Sequence, residues 1–146
     1  MSWLDAPALD PEPVTHDWIV LDASVVIGFL DVDDAHAITA YETLNADEWI
    51  EFMMHPHTLA EALVGAARRG MIDEAVAGLA RVGVERWHPD QDAPRRIASL
   101  RATTRLALAD CCPLDVAEQL GARLATFDDR LARVARERGI EVVGID

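Results

Sequence analysis

Apolar residues in this chain come in short blocks, and the breaks between blocks are polar, glycine or proline. Trp18-Ile19-Val20-Leu21 is continuous and β-branched, the mark of a short buried strand. Asp22-Ala23-Ser24 breaks it, and Val25 to Leu30 is expected to start a helix. Asp33 or Asp34 suits the cap of a second helix reaching about Leu44. Glu48 to Met54, with Trp49, Ile50, Phe52 and Met53, reads as a second strand. Pro56 suits a helix start, and Thr58 to Arg69 follows at helical period, with Leu59, Leu63, Ala66 and Ala67 as its apolar face and Gly70 as its stop. Met71 to Arg81 repeats the pattern with Ile72, Ala75, Val76 and Leu79. Further along, the spacing predicts a strand over Gly83 to Trp87 and a helix over Pro94 to Arg105. A helix over Pro113 to Leu120, closed by Gly121, comes next. A strand over Arg123 to Phe127, a helix over Asp128 to Arg138 and a strand over Ile140 to Val143 complete the pattern.

Strands alternating with helices and helical pairs predict an α/β fold, a parallel sheet with helices on both faces. In such sheets ligands bind outside the carboxyl ends of the strands. Residues 1–17, with Pro7, Pro11 and Pro13 among acidic neighbours, read as an extended acidic N-terminal arm ahead of one domain over residues 18–146. At 146 residues and 51% hydrophobic content the chain can bury a core without disulfides. Cys111 and Cys112 are adjacent and fit buried, reduced thiols. No apolar run approaches the roughly 18–20 residues that span a bilayer. Met1-Ser2-Trp3-Leu4-Asp5 has neither a basic start nor an apolar stretch behind it, so a cytoplasmic protein is expected, with no membrane partner.

Net charge is −13, which on its face opposes nucleic-acid binding. All 13 basic residues are Arg, the side chain suited to bidentate phosphate contact. The lack of any Lys excludes a P-loop and Schiff-base chemistry. Arg95, Arg96, Arg101 and Arg105 are open to two readings, a basic flank for phosphates or solvated helix faces. The pair His55 and His57 has a weak metal-site spacing and suits a surface loop.

Four acids stand out. Asp22, Asp110 and Asp128 each end an apolar segment, and Glu61 lies inside a helical stretch. Ionised carboxylates beside a core are costly unless a positive charge compensates them, and a divalent cation is the natural candidate. Mg²⁺ takes hard oxygen ligands, keeps waters and accepts a substrate phosphate. Each acid also has a plainer role open to it: Asp22, Asp110 and Asp128 as helix caps, Glu61 as a solvated helix residue. Asp129 is placed to substitute in part for Asp128, and Asp115 to reach the rim.

The blocks Asp22-Ala23-Ser24, Thr58-Leu59-Ala60-Glu61, Leu108-Ala109-Asp110 and Thr126-Phe127-Asp128, in that order, resemble the PIN domain family, more closely its VapC-type toxin ribonucleases. The resemblance covers about Trp18 to Asp146. It implies a single PIN-like domain with an acidic site at the strand carboxyl ends, and a metal-dependent endoribonuclease. It implies that Asp22, Glu61, Asp110 and Asp128 are catalytic and bind Mg²⁺ or Mn²⁺, with Asp22 and Asp110 as the closest ligands and Glu61 acting directly or through water. It implies that Ser24 and Thr126 line the site. It further implies an RNA substrate, a cognate antitoxin protein and a homodimer. A receiver domain and a haloacid-dehalogenase phosphatase also gather aspartates. The first needs a lysine this chain lacks, and the second an Asp where Ser24 stands. A PIN-like RNA- or protein-binding module without activity remains the alternative.

Overall fold

The computed structural model describes residues 17–144, so residues 1–16 of the expected acidic arm lie outside the described residues, and Asp17, given to that arm, opens the first strand. The chain begins with strand β1 (Asp17–Leu21), followed by helices α1 (Ala23–Leu30) and α2 (Ala37–Asn45). Strand β2 (Ile50–Met54) leads to α3 (Pro56–Arg68) and α4 (Ile72–Arg81), then to β3 (Val84–Arg86). Helices α5 (Ala93–Thr104) and α6 (Leu108–Leu120) come before β4 (Arg123–Ala125), and α7 (Asp129–Glu137) before β5 (Val142–Val143). The five strands form one parallel sheet in the order β3-β2-β1-β4-β5. β1 is central, pairing Ile19 with Phe52 on one side and Leu21 with Ala125 on the other. Chain order reverses across β1, so the crevice above its carboxyl end is the switch point where such sheets bind ligands.

Side chains alternate across the sheet, and two cores follow. Val20, Met53 and Leu124 meet Leu114, Val116 and Leu131 of α6 and α7 on one face. Ile19, Leu21, Phe52 and Ala125 meet Val25, Val26, Ala62 and Leu79 on the other. Helices therefore cover both faces, as the alternation predicts.

Several boundaries move for physical reasons. β1 ends at Leu21 as expected, whereas β4 stops at Ala125 and leaves Thr126 and Phe127 beyond it. α2 begins after His36, not at Asp33 or Asp34; Asp34 instead accepts the His36 N–H at 2.8 Å in the preceding turn. α6 begins at Leu108, ahead of Pro113. Proline favours a first helical turn, which suggested a start there. Here it sits inside the helix and removes the bond to the Ala109 carbonyl, and the buried ring is held by packing. The α3 face comprises Thr58, Ala62 and Ala66, with Leu59 and Leu63 half-buried and Ala67 exposed. On α4, Ala75 and Leu79 are buried, whereas Ile72 and Val76 are exposed.

Candidate active site

The crevice over β1 is built from the first residues beyond the strands. The Asp22 N–H donates to the Ala125 carbonyl at 3.0 Å, and the Thr126 N–H to the Val143 carbonyl at 3.1 Å, so the ladder carries both residues to the top of the sheet. Gly144 runs close over this joint: a Cβ there would stand 2.8 Å from the Thr126 carbonyl oxygen, and its φ of +108° suits glycine alone.

Asp22 is buried, 6% exposed, and occupies the N-cap position of α1 without a side-chain cap bond. Its Oδ2 instead accepts from Ser24 Oγ at 2.8 Å and Thr126 Oγ1 at 2.9 Å. The proton positions follow from counting. Ser24 Oγ accepts the Phe127 N–H at 3.0 Å, and Thr126 Oγ1 accepts the Asp128 N–H at 3.0 Å. Each hydroxyl has one proton, and each donates it to Asp22. The 3.5 Å approach of the two hydroxyl oxygens to each other is therefore not a third bond. This network fixes the orientation of Asp22 through two donors to Oδ2.

Asp128 does cap its helix: Oδ1 accepts the Leu131 N–H at 2.9 Å. Asp110 does not precede its helix, as the reading around Pro113 had it; it lies in the first turn of α6. Its half-buried carboxyl is pushed up to about 6, first by burial and then by the charges of Asp22, Asp128 and Glu61. All four acids thus share one electrostatic field. Glu61 is 43% exposed, and His57 Nδ1 lies 3.1 Å from its Oε1. That i, i+4 spacing is readable in the sequence once Pro56 fixes the helix start; the sequence reading placed His57 on the surface and missed the pairing.

Arg130, in the first turn of α7, is the cation whose charge opposes this effect on Asp110. Its Nη2 donates to the Arg105 carbonyl at 3.0 Å.

Other expectations are corrected. Asp115 does not reach the rim: 2% exposed, it accepts from Arg96 Nε at 2.8 Å and Nη2 at 3.2 Å. Arg96 also spans both oxygens of Asp90, so it is consumed by two carboxylates and does not belong to a free basic flank. His55 is buried and caps α3, its Nδ1 accepting the His57 N–H at 3.0 Å; burial, then His57, holds it below the usual histidine range. Cys111 and Cys112 are free and buried. Burial pushes the Cys112 thiol up to about 11, so it stays protonated and is no ready metal ligand.

Among the described residues, no three His, Cys, Asp or Glu side chains are gathered closely enough to form a finished metal cage. The donor chemistry nevertheless fits a hard cation. The mutually repelling groups are carboxylates, with hydroxyls behind them and neutral thiols beside them. Mg²⁺ retains several waters and needs only one or two direct carboxylates, so a dispersed acidic set suits it better than a tight one. A concavity of about 760 Å³ lies away from this chemistry, lined by Gly121, Arg123, Arg138 and Glu141. A smaller groove of about 220 Å³ between Ile27, Leu30, Ala62 and Arg69 meets the site through Glu61. No helix among the described residues is long and apolar enough to cross a membrane.

Comparison with solved structures finds the same fold. The structure of VapC20 from Mycobacterium tuberculosis, described as a Sarcin-Ricin loop cleaving toxin, superposes with a TM-score of 0.67 at 20% identity, covering 80% of this chain and 94% of that one. VapBC2 from Rickettsia felis, bound to a DNA fragment from their promoter, gives 0.63 at 13% identity, covering 88% and 99%. FitAcB from Neisseria gonorrhoeae gives 0.59 at 18% identity, covering 86% and 96%. A search of curated protein sequences found no match. The family model for the PIN domain matches residues 19–137, a span that runs from β1 to the end of α7 and contains all four acids with Ser24 and Thr126. With its parallel sheet and its acidic crevice over β1, this chain belongs to the PIN domain family.

Proposed function

We propose that the protein is a Mg²⁺- or Mn²⁺-dependent endoribonuclease, the toxin of a type II toxin–antitoxin pair. The observation that carries this reading is the field around Asp110, whose carboxyl is raised by Asp22, Asp128 and Glu61 together. Carboxylates that destabilise one another at the ligand-binding edge of a sheet call for a cation. Likeness of fold to VapC20, described as a toxin that cleaves the Sarcin-Ricin loop, supports RNA as the substrate class.

When bound, the divalent ion lowers the pKa of water and stabilises charge on a phosphoryl oxygen. Asp22 and Asp110 are the residues that would hold it most closely, with Asp128 beside them and Glu61 acting directly or through water. Ser24 and Thr126 fix the orientation of Asp22 through their two bonds to its Oδ2. Asp128 keeps its Oδ1 on the Leu131 N–H of α7. The net charge of −13 makes the local arrangement of arginines, not the overall field, the source of any phosphate attraction.

A cognate antitoxin, a homodimeric state and a cytoplasmic location belong to the same proposal. The VapBC2 and FitAcB structures, of the same fold, support the antitoxin partner. Purified protein should cleave single-stranded or structured RNA in Mg²⁺ or Mn²⁺ and stop on chelation. Asp22→Asn and Asp110→Asn should each abolish cleavage while circular dichroism stays unchanged. RNA that binds but is never cut would select the alternative, a silent binding module.

A further inference from the structure

Arg130 sits where two local rules are broken at once. It stands in the first turn of α7, where a cation opposes the helix dipole and an anion is favoured. Its Nη2 donates to the carbonyl of Arg105, and Arg105 has φ +62°, the one non-glycine residue with positive φ among the described residues. Such a backbone costs on the order of 1 kcal/mol or more and persists where surroundings impose it. The result is a guanidinium anchored by one nitrogen at the end of α5, two residues from Asp128 in the chain, beside the acidic crevice. The residue is exposed, and among the described residues no carboxylate lies within ion-pairing distance of its guanidinium. Arg96, Arg123 and Arg138 differ: each is paired to an acid, Arg138 with Glu118.

From this geometry we infer that Arg130 is the substrate-positioning residue of the site, binding an RNA phosphate next to the one that is cut, with the Arg105 carbonyl holding its side chain in place. An anchored guanidinium loses less side-chain freedom on binding than a free one, and its remaining N–H groups match a phosphate edge. The inference rests on the nuclease reading and adds the residue that the acidic quartet lacks, a fixed positive contact for a polyanion in a chain of net charge −13.

The test is steady-state cleavage of a fluorogenic single-stranded RNA in Mg²⁺ over a series of NaCl concentrations. Arg130→Ala should raise KM about tenfold with kcat changed far less, the effect of losing one charged hydrogen bond to substrate. The slope of log(kcat/KM) against log[salt] should become shallower by about 0.7, the loss of one phosphate contact on a single strand. Arg130→Lys should restore the slope and part of KM. Arg130→Gln removes the charge but keeps a polar, helix-compatible side chain, so it separates lost charge from lost folding and should match the alanine variant. An unchanged KM and slope in the alanine and glutamine variants overturns the assignment, as does a fall in kcat alone, which would place Arg130 on the acids and not on RNA. Wild-type protein that cleaves no RNA overturns the nuclease reading, and this inference with it.

Discussion

Thr126 Oγ1 donates to Asp22 Oδ2 at 2.9 Å and joins residues 104 positions apart in the chain. The same oxygen accepts the Asp128 N–H, so one hydroxyl fixes two members of the acidic set. Thr126→Val keeps the branched shape and removes both roles. A buried carboxylate and a backbone N–H each lose a partner, and the cost is expected at about 1–3 kcal/mol. Urea unfolding should show a lower midpoint with an unchanged slope, and cleavage should fall at least tenfold. Wild-type midpoint and rate together would remove Thr126 from the site.

Acidity should act on folding and on cleavage in opposite directions. The Asp110 carboxyl is raised to about 6 in the folded protein, so the folded state binds its proton more tightly than the unfolded chain, where Asp titrates near about 4. Its favourable contribution is complete below the unfolded value and is lost as pH rises through about 6. Without divalent metal, this group should cost about 1 kcal/mol of stability between pH 4.5 and 7, allowing for screening of a half-exposed site. The difference in urea midpoint between the wild type and Asp110→Asn, measured in chelator, should follow that course; parallel profiles would count against it. Cleavage needs the ionised form and should fall as pH drops through the same range, with saturating metal moving the midpoint lower.

Divalent metal should raise thermal stability. At a concentration about 100-fold above Kd, binding to the folded state adds about 2.7 kcal/mol. For a chain of this size that is a rise in Tm of roughly 5–10 °C. Asp22→Asn combined with Asp110→Asn should abolish the rise. A double variant that keeps it would place the metal elsewhere.

The Arg96 pair with Asp115 should respond asymmetrically. Arg96→Met strands a carboxylate that is 2% exposed, with an expected cost of about 3–5 kcal/mol. Asp115→Asn leaves Arg96 still paired to Asp90 and should cost about 1–2 kcal/mol. Chemical denaturation separates the two, and equal costs would contradict the geometry. Cleavage per folded molecule should be unaffected by either.

How much of this was legible in the sequence depends on the range of the interaction. The strand at Trp18–Leu21 and the turn at Asp22 are local signals, and β1 lies where the apolar run places it. The parallel order followed from alternation. The start of α6 did not, because tertiary packing around Pro113 outweighs the local preference of proline for a first turn. Asp115 and Arg96 are 19 positions apart, and nothing in either helix announces the pair. Asp128 took up its cap reading through Oδ1, and its charge also acts on Asp110. Ser24 and Thr126 were legible as site-lining hydroxyls only through resemblance; that both point at one oxygen of Asp22 is a fact of three dimensions.

The reach of the Thr126 contact also bears on synthesis. β1 is made early, yet Asp22 lacks its second hydroxyl partner until residue 126 has left the ribosome and β4 has docked beside β1. No nascent chain ending before β4 carries an assembled site. Under the proposed nuclease function, the protein is therefore inert through most of its own translation, and truncated products that stop short of Thr126 should do no harm to the messages around them.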